Sequence, residues 1–258
     1  MSMEKEVILS TVDLSVYFGW LAALQNLDVT VRKGEIHGLI GPNGAGKTTF
    51  TNVVSGLIRP TQGKIHFQGV DISRAAPHAI CAMGLSRTFQ RAQVLPRLTC
   101  LENVMVGCHP RIKAGFLRTM FRRPFFGSAE ENEARQRSLQ LLDLMGLSGS
   151  TERMPTDLVW VECQLLQMAR CLANEPKLII LDEPTAGMGP EESNIIGKLV
   201  QQVRDRGVTI VLISHDVRLV MENADWVTVI NFGEKICDET PAAVQQDAKV
   251  LEAYLGAE

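Results

Sequence analysis

The sequence has no apolar run long enough to span a bilayer. Its longest, at 178–181 and 208–213, are strand-sized, against the roughly 18 residues that a membrane helix needs. The chain is therefore not expected to cross a membrane by itself. Residues 1–10 carry Glu4, Lys5 and Glu6 and lack an apolar core of the secretory kind, so no export signal is read there and the expected compartment is the cytosol. The six cysteines (Cys81, Cys100, Cys108, Cys163, Cys171 and Cys237) form no C-x-x-C pair and have no histidine at zinc-ligand spacing. They are expected to be reduced and mostly buried. No charge of one sign dominates either: 26 basic against 29 acidic residues leave a formal charge of −3, so no global field recruits nucleic acid or an anionic membrane, and any such contact must be local. Internal repeats and low-complexity tracts are absent too. What remains is 258 residues, 45% hydrophobic and 21% charged, a balance that fits one α/β domain with room for an insertion.

Periodicity divides the chain into thirds. Strand-like runs at 7–18, 27–31 and 35–40 precede a glycine-rich turn at 41–46 and a helix at 48–57 that stops at Arg59-Pro60. Short strands at 64–67 and 85–89 flank a helix near 78–83. In the middle third, Thr99 with Glu102 and Ser128 with Glu131 both fit the capping box, in which a hydroxyl and a carboxylate three residues on satisfy free helix amides. The second of these helices runs through Leu139, Leu142 and Met145 to Gly146, and another sets Leu165, Met168, Ala169 and Leu172 on one face. Residues 98–173 thus read as a helical subdomain. The last third alternates strand 177–181, helix 191–204, strand 208–214, helix 217–222 and strand 226–230. Helical crossovers imply mainly parallel central strands, whereas the N-terminal meander is expected to be antiparallel.

The strongest chemical signal is Gly41-Pro42-Asn43-Gly44-Ala45-Gly46-Lys47-Thr48, which matches G-x-x-x-x-G-K-[ST] between a predicted strand and a predicted helix. Glycines let backbone amides approach phosphate oxygens, a helix start favours anions, and Lys47 meets the β/γ charge. Thr48 would place its hydroxyl on Mg²⁺. The strand 178–181 ends in Asp182 and Glu183, 135 and 136 positions after Lys47. Downstream of a P-loop, Asp182 fits a carboxylate that reaches Mg²⁺, and Glu183 a base that polarises the attacking water. The strand 208–214 ends in His215 in the same manner, at the strand end where ligands bind in parallel sheets.

Together these residues resemble the nucleotide-binding subunit of an ATP-binding-cassette (ABC) transporter, over nearly the whole chain. Residues Gly41 to Thr49 read as the family's Walker A motif, with Thr49 closing it, and residues 178–183 as Walker B. Thr88-Phe89-Gln90 reads as the Q-loop, which makes Gln90 a Mg²⁺-side and catalytic residue, and Ser214-His215-Asp216 as the switch histidine. Phe18 fits the aromatic that stacks on adenine. The resemblance implies an α/β fold of the P-loop NTPase, ABC ATPase type: a mixed sheet with an antiparallel β-subdomain and an inserted helical subdomain. It further implies one domain over 1–258, with 1–97 and 174–258 as catalytic core and 98–173 as the helical part carrying the signature region. ATP and Mg²⁺ are the implied cofactors.

Finer likeness is to the ATPases of branched-chain amino acid importers. It rests on Gly34-Glu35-Ile36-His37-Gly38-Leu39-Ile40, on Gly84-Leu85-Ser86-Arg87-Thr88-Phe89-Gln90, on the stretch 109–137, and on the tail Glu252-Ala253-Tyr254-Leu255-Gly256. The implied partners are a second ABC ATPase subunit, as a heterodimer or a homodimer, two transmembrane permease subunits and, indirectly, a periplasmic substrate-binding protein, with no nucleic acid. The implied location is peripheral, on the cytoplasmic face of the inner membrane. An exporter ATPase for lipid or polysaccharide, or a soluble non-transport ABC ATPase, are the alternatives.

One motif departs from the family. Where Leu-Ser-Gly-Gly-Gln or a close variant belongs, the chain reads Leu158-Val159-Trp160-Val161-Glu162. Val159 has no hydroxyl for the γ-phosphate held by the opposite subunit, and Val161 puts a β-branched side chain where close backbone approach is needed. Met188-Gly189-Pro190 also lacks the acid or amide usual in the following D-loop. Either backbone amides alone suffice, or the dimer is asymmetric, with this chain's P-loop, Asp182, Glu183 and His215 working against an intact partner signature. Residues 109–126 add five cations (Arg111, Lys113, Arg118, Arg122 and Arg123) and four phenylalanines without an acid, a composition suited to docking on membrane subunits or the adjoining lipid.

Overall fold

The computed structural model describes residues 6–90, 92–108 and 129–255. They fall into two compact units, Met1–Gln90 with Lys177–Glu258, and Arg91–Pro176. In chain order the first unit carries β1 (Val7–Phe18), β2 (Leu21–Leu27), β3 (Thr30–Arg32), β4 (Ile36–Ile40), α1 (Lys47–Val54), β5 (Gln62–Phe67), β6 (Val70–Asp71), α2 (Pro77–Ala82) and β7 (Leu85–Arg87). The second unit follows with α3 (Cys100–Gly107), α4 (Ala129–Leu144) and α5 (Trp160–Ala173). The first then resumes with β8 (Leu178–Asp182), α6 (Pro190–Asp205), β9 (Thr209–Ile213), α7 (Val217–Asn223), β10 (Trp226–Asn231), β11 (Glu234–Glu239), α8 (Pro241–Val244) and α9 (Ala248–Leu255).

Two sheets organise the first unit. One is antiparallel, in the order β2-β1-β5-β6 with β3 also paired to β1. The other runs β11-β10-β4-β9-β8-β7, parallel from β10 to β7 and antiparallel only at β11. Every residue of β4, β8 and β9 is buried, which is why these strands read as unbroken apolar runs: parallel strands are covered on both faces. Leu39, Phe50, Phe67, Ile180 and Ile213 share one buried cluster that joins the sheets through α1. On the other face α7 comes so close to β4 that a Cβ on Gly38 would collide with Val220 Cγ1.

The expected strand at 27–31 is divided between the end of β2 and β3. Leu27, Val29 and Val31 are all buried, so the alternation in the sequence is genuine. The break comes from Thr11 of β1, whose hydroxyl donates to Leu27 O at 2.7 Å and accepts the Val29 amide at 2.8 Å. A side chain thereby takes the place of a ladder bond. Strand β11 was not expected, because Glu234, Lys235, Asp238 and Glu239 hide its apolar positions; as an edge strand it can carry such charge.

In the second unit α3 packs on α4 and α5, and α4 on α5. Thr99 caps α3 as its spacing predicts: its hydroxyl accepts the Glu102 amide at 3.2 Å, and the Glu102 carboxylate accepts the Thr99 amide at 2.7 Å. Ser128, the other expected cap, and the basic stretch 109–126 lie outside the described residues. All six cysteines are free thiols, but only Cys100, Cys108 and Cys237 are buried, so half rather than most fit the expectation. Cys81, Cys163 and Cys171 are half-buried, because each lies on a helix at the margin of its apolar face. Among the described residues no helix is long and apolar enough to cross a membrane.

Candidate functional site

The carboxyl ends of β4, β7, β8 and β9 lie along one edge of the parallel sheet, which is where such sheets present ligand-binding loops. From β4 the chain enters the glycine loop and then α1. A Cβ on Gly41 would strike the carbonyl oxygen of Ile230, and one on Gly46, where φ is +107°, would fall 2.6 Å from Ala23 O. The loop therefore needs glycine for close approach at Gly41 and for its left-handed turn at Gly46. No side chain caps the start of α1, and its first turn holds no acid. The positive end of the helix dipole is thus left to an incoming anion.

A cavity of about 380 Å³ opens at this edge. Asn43, Gly44, Ala45, Gly46, Lys47, Thr48 and Thr49 form its floor, and Phe18, Gln90, Asp182 and Glu183 its sides. Of the site residues expected from the sequence, Gly41, Pro42 and His215 do not line it. Gly41 and Pro42 instead turn their carbonyls to the Lys47 ammonium, which donates to them at 2.6 and 2.9 Å. Burial holds the Lys47 pKa below its usual 10.5, against the opposing pull of Glu183 and Asp182. Phosphate oxygens at the loop would answer that desolvation, so the residues present fit a nucleotide polyphosphate. The hydroxyl, carboxylate and amide of Thr48, Asp182 and Gln90 are oxygen donors of the kind a Mg²⁺ ion takes.

Glu183 sits just past β8 with φ of +52°, a left-handed conformation that a non-glycine residue seldom adopts. Its amide donates to Ile213 O at 2.8 Å, which pins the turn to the end of β9. One carboxylate oxygen, Oε2, accepts the His215 amide at 3.0 Å and lies 2.6 Å from His215 Nδ1. The imidazole itself is 61% exposed, so it reaches the cavity through Glu183 while presenting its other edge to solvent.

Three residues that sequence reasoning passed over belong to this neighbourhood. Arg87, the last residue of β7, donates from Nη2 to Asp182 Oδ2 at 2.7 Å, with both side chains 6% exposed. A strand ending in a cation beside one ending in an acid was the available signal. Phe232, at the β10–β11 turn, lines the cavity and is 81% exposed; the Asn231-Phe232-Gly233 turn marks the hairpin but not what it faces. Tyr254 of α9 is hydrogen-bonded with the Gly41 backbone. Burial pushes its phenol up to about 12, the Gly41 bond works against that rise, and the Glu183 carboxylate adds to it.

A family model described as ABC transporter matches residues 24–186, and one described as branched-chain amino acid ATP-binding cassette transporter matches residues 234–258. The high-affinity branched-chain amino acid transport ATP-binding protein BraF of Pseudomonas aeruginosa is 35% identical over 250 residues, covering 96% of this chain and 98% of that protein. The corresponding LivG protein of Escherichia coli shows the same identity and coverage. A probable LivG of Archaeoglobus fulgidus is 34% identical over 253 residues, covering 97% and 96%. Among solved structures, a nucleotide-free ATP-binding cassette from an ABC transporter superposes with a TM-score of 0.82 at 30% identity, covering 96% of this chain and 98% of that one. An ABC transporter cassette in its ADP conformation gives 0.85 at 30% identity, covering 98% and 100%. Matches that run through the glycine loop, both acids and the C-terminal helix amount to likeness along the whole chain, not to one shared loop, and the chain belongs to the ABC transporter family.

Proposed function

We propose that the chain is the ATP-hydrolysing subunit of a membrane importer for branched-chain or related amino acids, held peripherally on the cytoplasmic face by permease subunits. The observation that carries this reading is the gathering of the glycine loop, Asp182 and Glu183 in one cavity, with His215 bonded to Glu183. The relatives' names supply the substrate class. Amides from the loop residues Asn43 to Thr49 and the Lys47 ammonium hold the phosphates, and Phe18 stacks on the base. Thr48, Asp182 and Gln90 would hold Mg²⁺, which when bound offsets charge on the phosphate oxygens. Glu183 draws a proton from the attacking water, its carboxylate aimed by the His215 amide and imidazole. Two such chains, or this one and a homologous subunit, face each other in the working dimer, and closure passes through the Gln90 segment to the permease.

The signature segment favours asymmetry within that dimer. Val159 and Trp160 are exposed, and the Val159 amide donates to Glu162 Oε2 at 3.0 Å. An amide that could serve a partner's γ-phosphate is therefore already bonded, and the carboxylate that holds it repels that phosphate.

Substituting Glu183→Gln tests the central reading. The variant should bind ATP as the parent does and lose hydrolysis by roughly 10²-fold or more, whereas Lys47→Ala should weaken nucleotide binding itself. Near-normal turnover in the Glu183→Gln chain would remove Glu183 from the role of base.

A further inference from the structure

The guanidinium of Arg87 joins three segments of the nucleotide site. Nη2 bonds Asp182 Oδ2 at the end of β8, as described above. Nη1 donates to Asn52 Oδ1 at 2.7 Å and to Ser55 Oγ at 3.1 Å, both at the C-terminal end of the helix that begins at Lys47. The ring of Phe89, next to Gln90, lies 5.1 Å from the guanidinium carbon. The planar fork of the guanidinium fixes the direction of the groups it binds.

Stability does not account for the arrangement, since a buried ion pair gains little over apolar side chains of the same volume. What the pair does supply is direction. The nearest alternative partner of Asp182 Oδ2 is the Thr51 hydroxyl at 3.5 Å, at the limit of a hydrogen bond. Without Arg87 the carboxylate would have no strong bond to hold its plane. Phe89, beside Gln90, would lose its contact with the guanidinium, while Thr88 would still bond this segment to β8, its amide donating to Ile180 O at 2.9 Å and its hydroxyl accepting the Asp182 amide at 3.1 Å.

Resting on the nucleotide-hydrolysing reading above, we propose that Arg87 is a positioning residue: it aims Asp182 into the cavity and locks it in register with α1 and the Gln90 segment, so that Asp182, Thr48 and Gln90 converge on one divalent cation. It touches neither nucleotide nor metal.

The test reads metal-dependent binding rather than turnover. A fluorescent ATP analogue is titrated into the whole chain without metal and then across a range of Mg²⁺ concentrations. Arg87→Met should bind the metal-free analogue within about twofold of the parent, while the Mg²⁺ concentration needed for half of the affinity gain rises by about 10- to 100-fold, the usual loss when a partner orienting a metal ligand is removed. Arg87→Lys should recover only part of this, because an ammonium cannot bond Asp182 and Asn52 in fixed planes together. Asn52→Ala, which leaves the ion pair and removes one anchor, should give a smaller shift in the same direction. An unchanged Mg²⁺ midpoint in Arg87→Met, or metal-free and metal-dependent binding falling together, would overturn the proposal. Should Arg87→Met fail to fold, full recovery by lysine or an unmoved midpoint in Asn52→Ala overturns it equally. Failure of the parent chain to bind the analogue at all would sink the ATPase reading itself, an outcome distinct from a parent that binds normally and variants that do not shift.

Discussion

At the scale of single residues, the site depends on pairs whose members lie far apart in sequence. Glu183 and His215 are separated by 32 positions, yet one carboxylate oxygen receives both the amide and the imidazole of His215. Replacing His215 with alanine keeps the amide and removes the ring. Single-turnover hydrolysis should fall by roughly 10²-fold with nucleotide affinity little changed, and equal losses in both would point to a binding role instead. Tyr254 gives a second prediction, in pH. Its phenol is raised from 10.0 to about 12 in the folded chain, so the folded state retains a proton that the unfolded state loses. The stability this contributes is fully present below pH 10 and disappears as pH climbs to about 12. Thermal melts of the parent should decline across that window, and Tyr254→Phe should decline less. Both acids, the lysine and the histidine are legible in the sequence because motif spacing marks them. Arg87 and Tyr254 are not, because a lone arginine and a tail tyrosine carry no spacing that says which carboxylate or amide they will meet.

At the scale of elements, the helices and parallel strands follow from periodicity and capping, and the departures have local causes. Thr11 ends the pairing of β2 through its hydroxyl, and β11 is held by Asp238, which accepts from Trp226 Nε1 at 2.7 Å and Thr228 Oγ1 at 2.9 Å. Neither cause is periodic, so neither shows in an apolar pattern. Close packing of α7 on β4 supplies a prediction at this scale. Gly38→Ala puts a methyl group into Val220 Cγ1, and overpacking of a filled core costs about 1–3 kcal/mol. Denaturant unfolding should show that loss as a lower midpoint with an unchanged slope. No change in midpoint would mean that α7 gives way without cost.

At the scale of the whole molecule, the proposed dimer raises the question of how two cassettes would share their ATP sites. Val159→Ser with Val161→Gly restores a hydroxyl and a small residue to the signature. In the asymmetric reading, turnover at the site this signature faces should rise, which a mixed dimer with the partner's or this chain's own base removed (Glu183→Gln) can resolve. Equal hydrolysis at both sites of the unmodified pair would refute asymmetry. The sequence by itself determined the α/β order, the phosphate loop, the acids and the altered signature, because glycine geometry, strand-end acids and helix caps are local requirements written into neighbouring residues. Only the tertiary structure decided that Arg87 clasps Asp182, that Phe232 faces the nucleotide cavity and that Tyr254 reaches Gly41. The contacts of Arg87 with Asp182 and of Tyr254 with Gly41 join residues 95 and 213 positions apart, where side-chain direction and packing, not spacing along the chain, choose the partner.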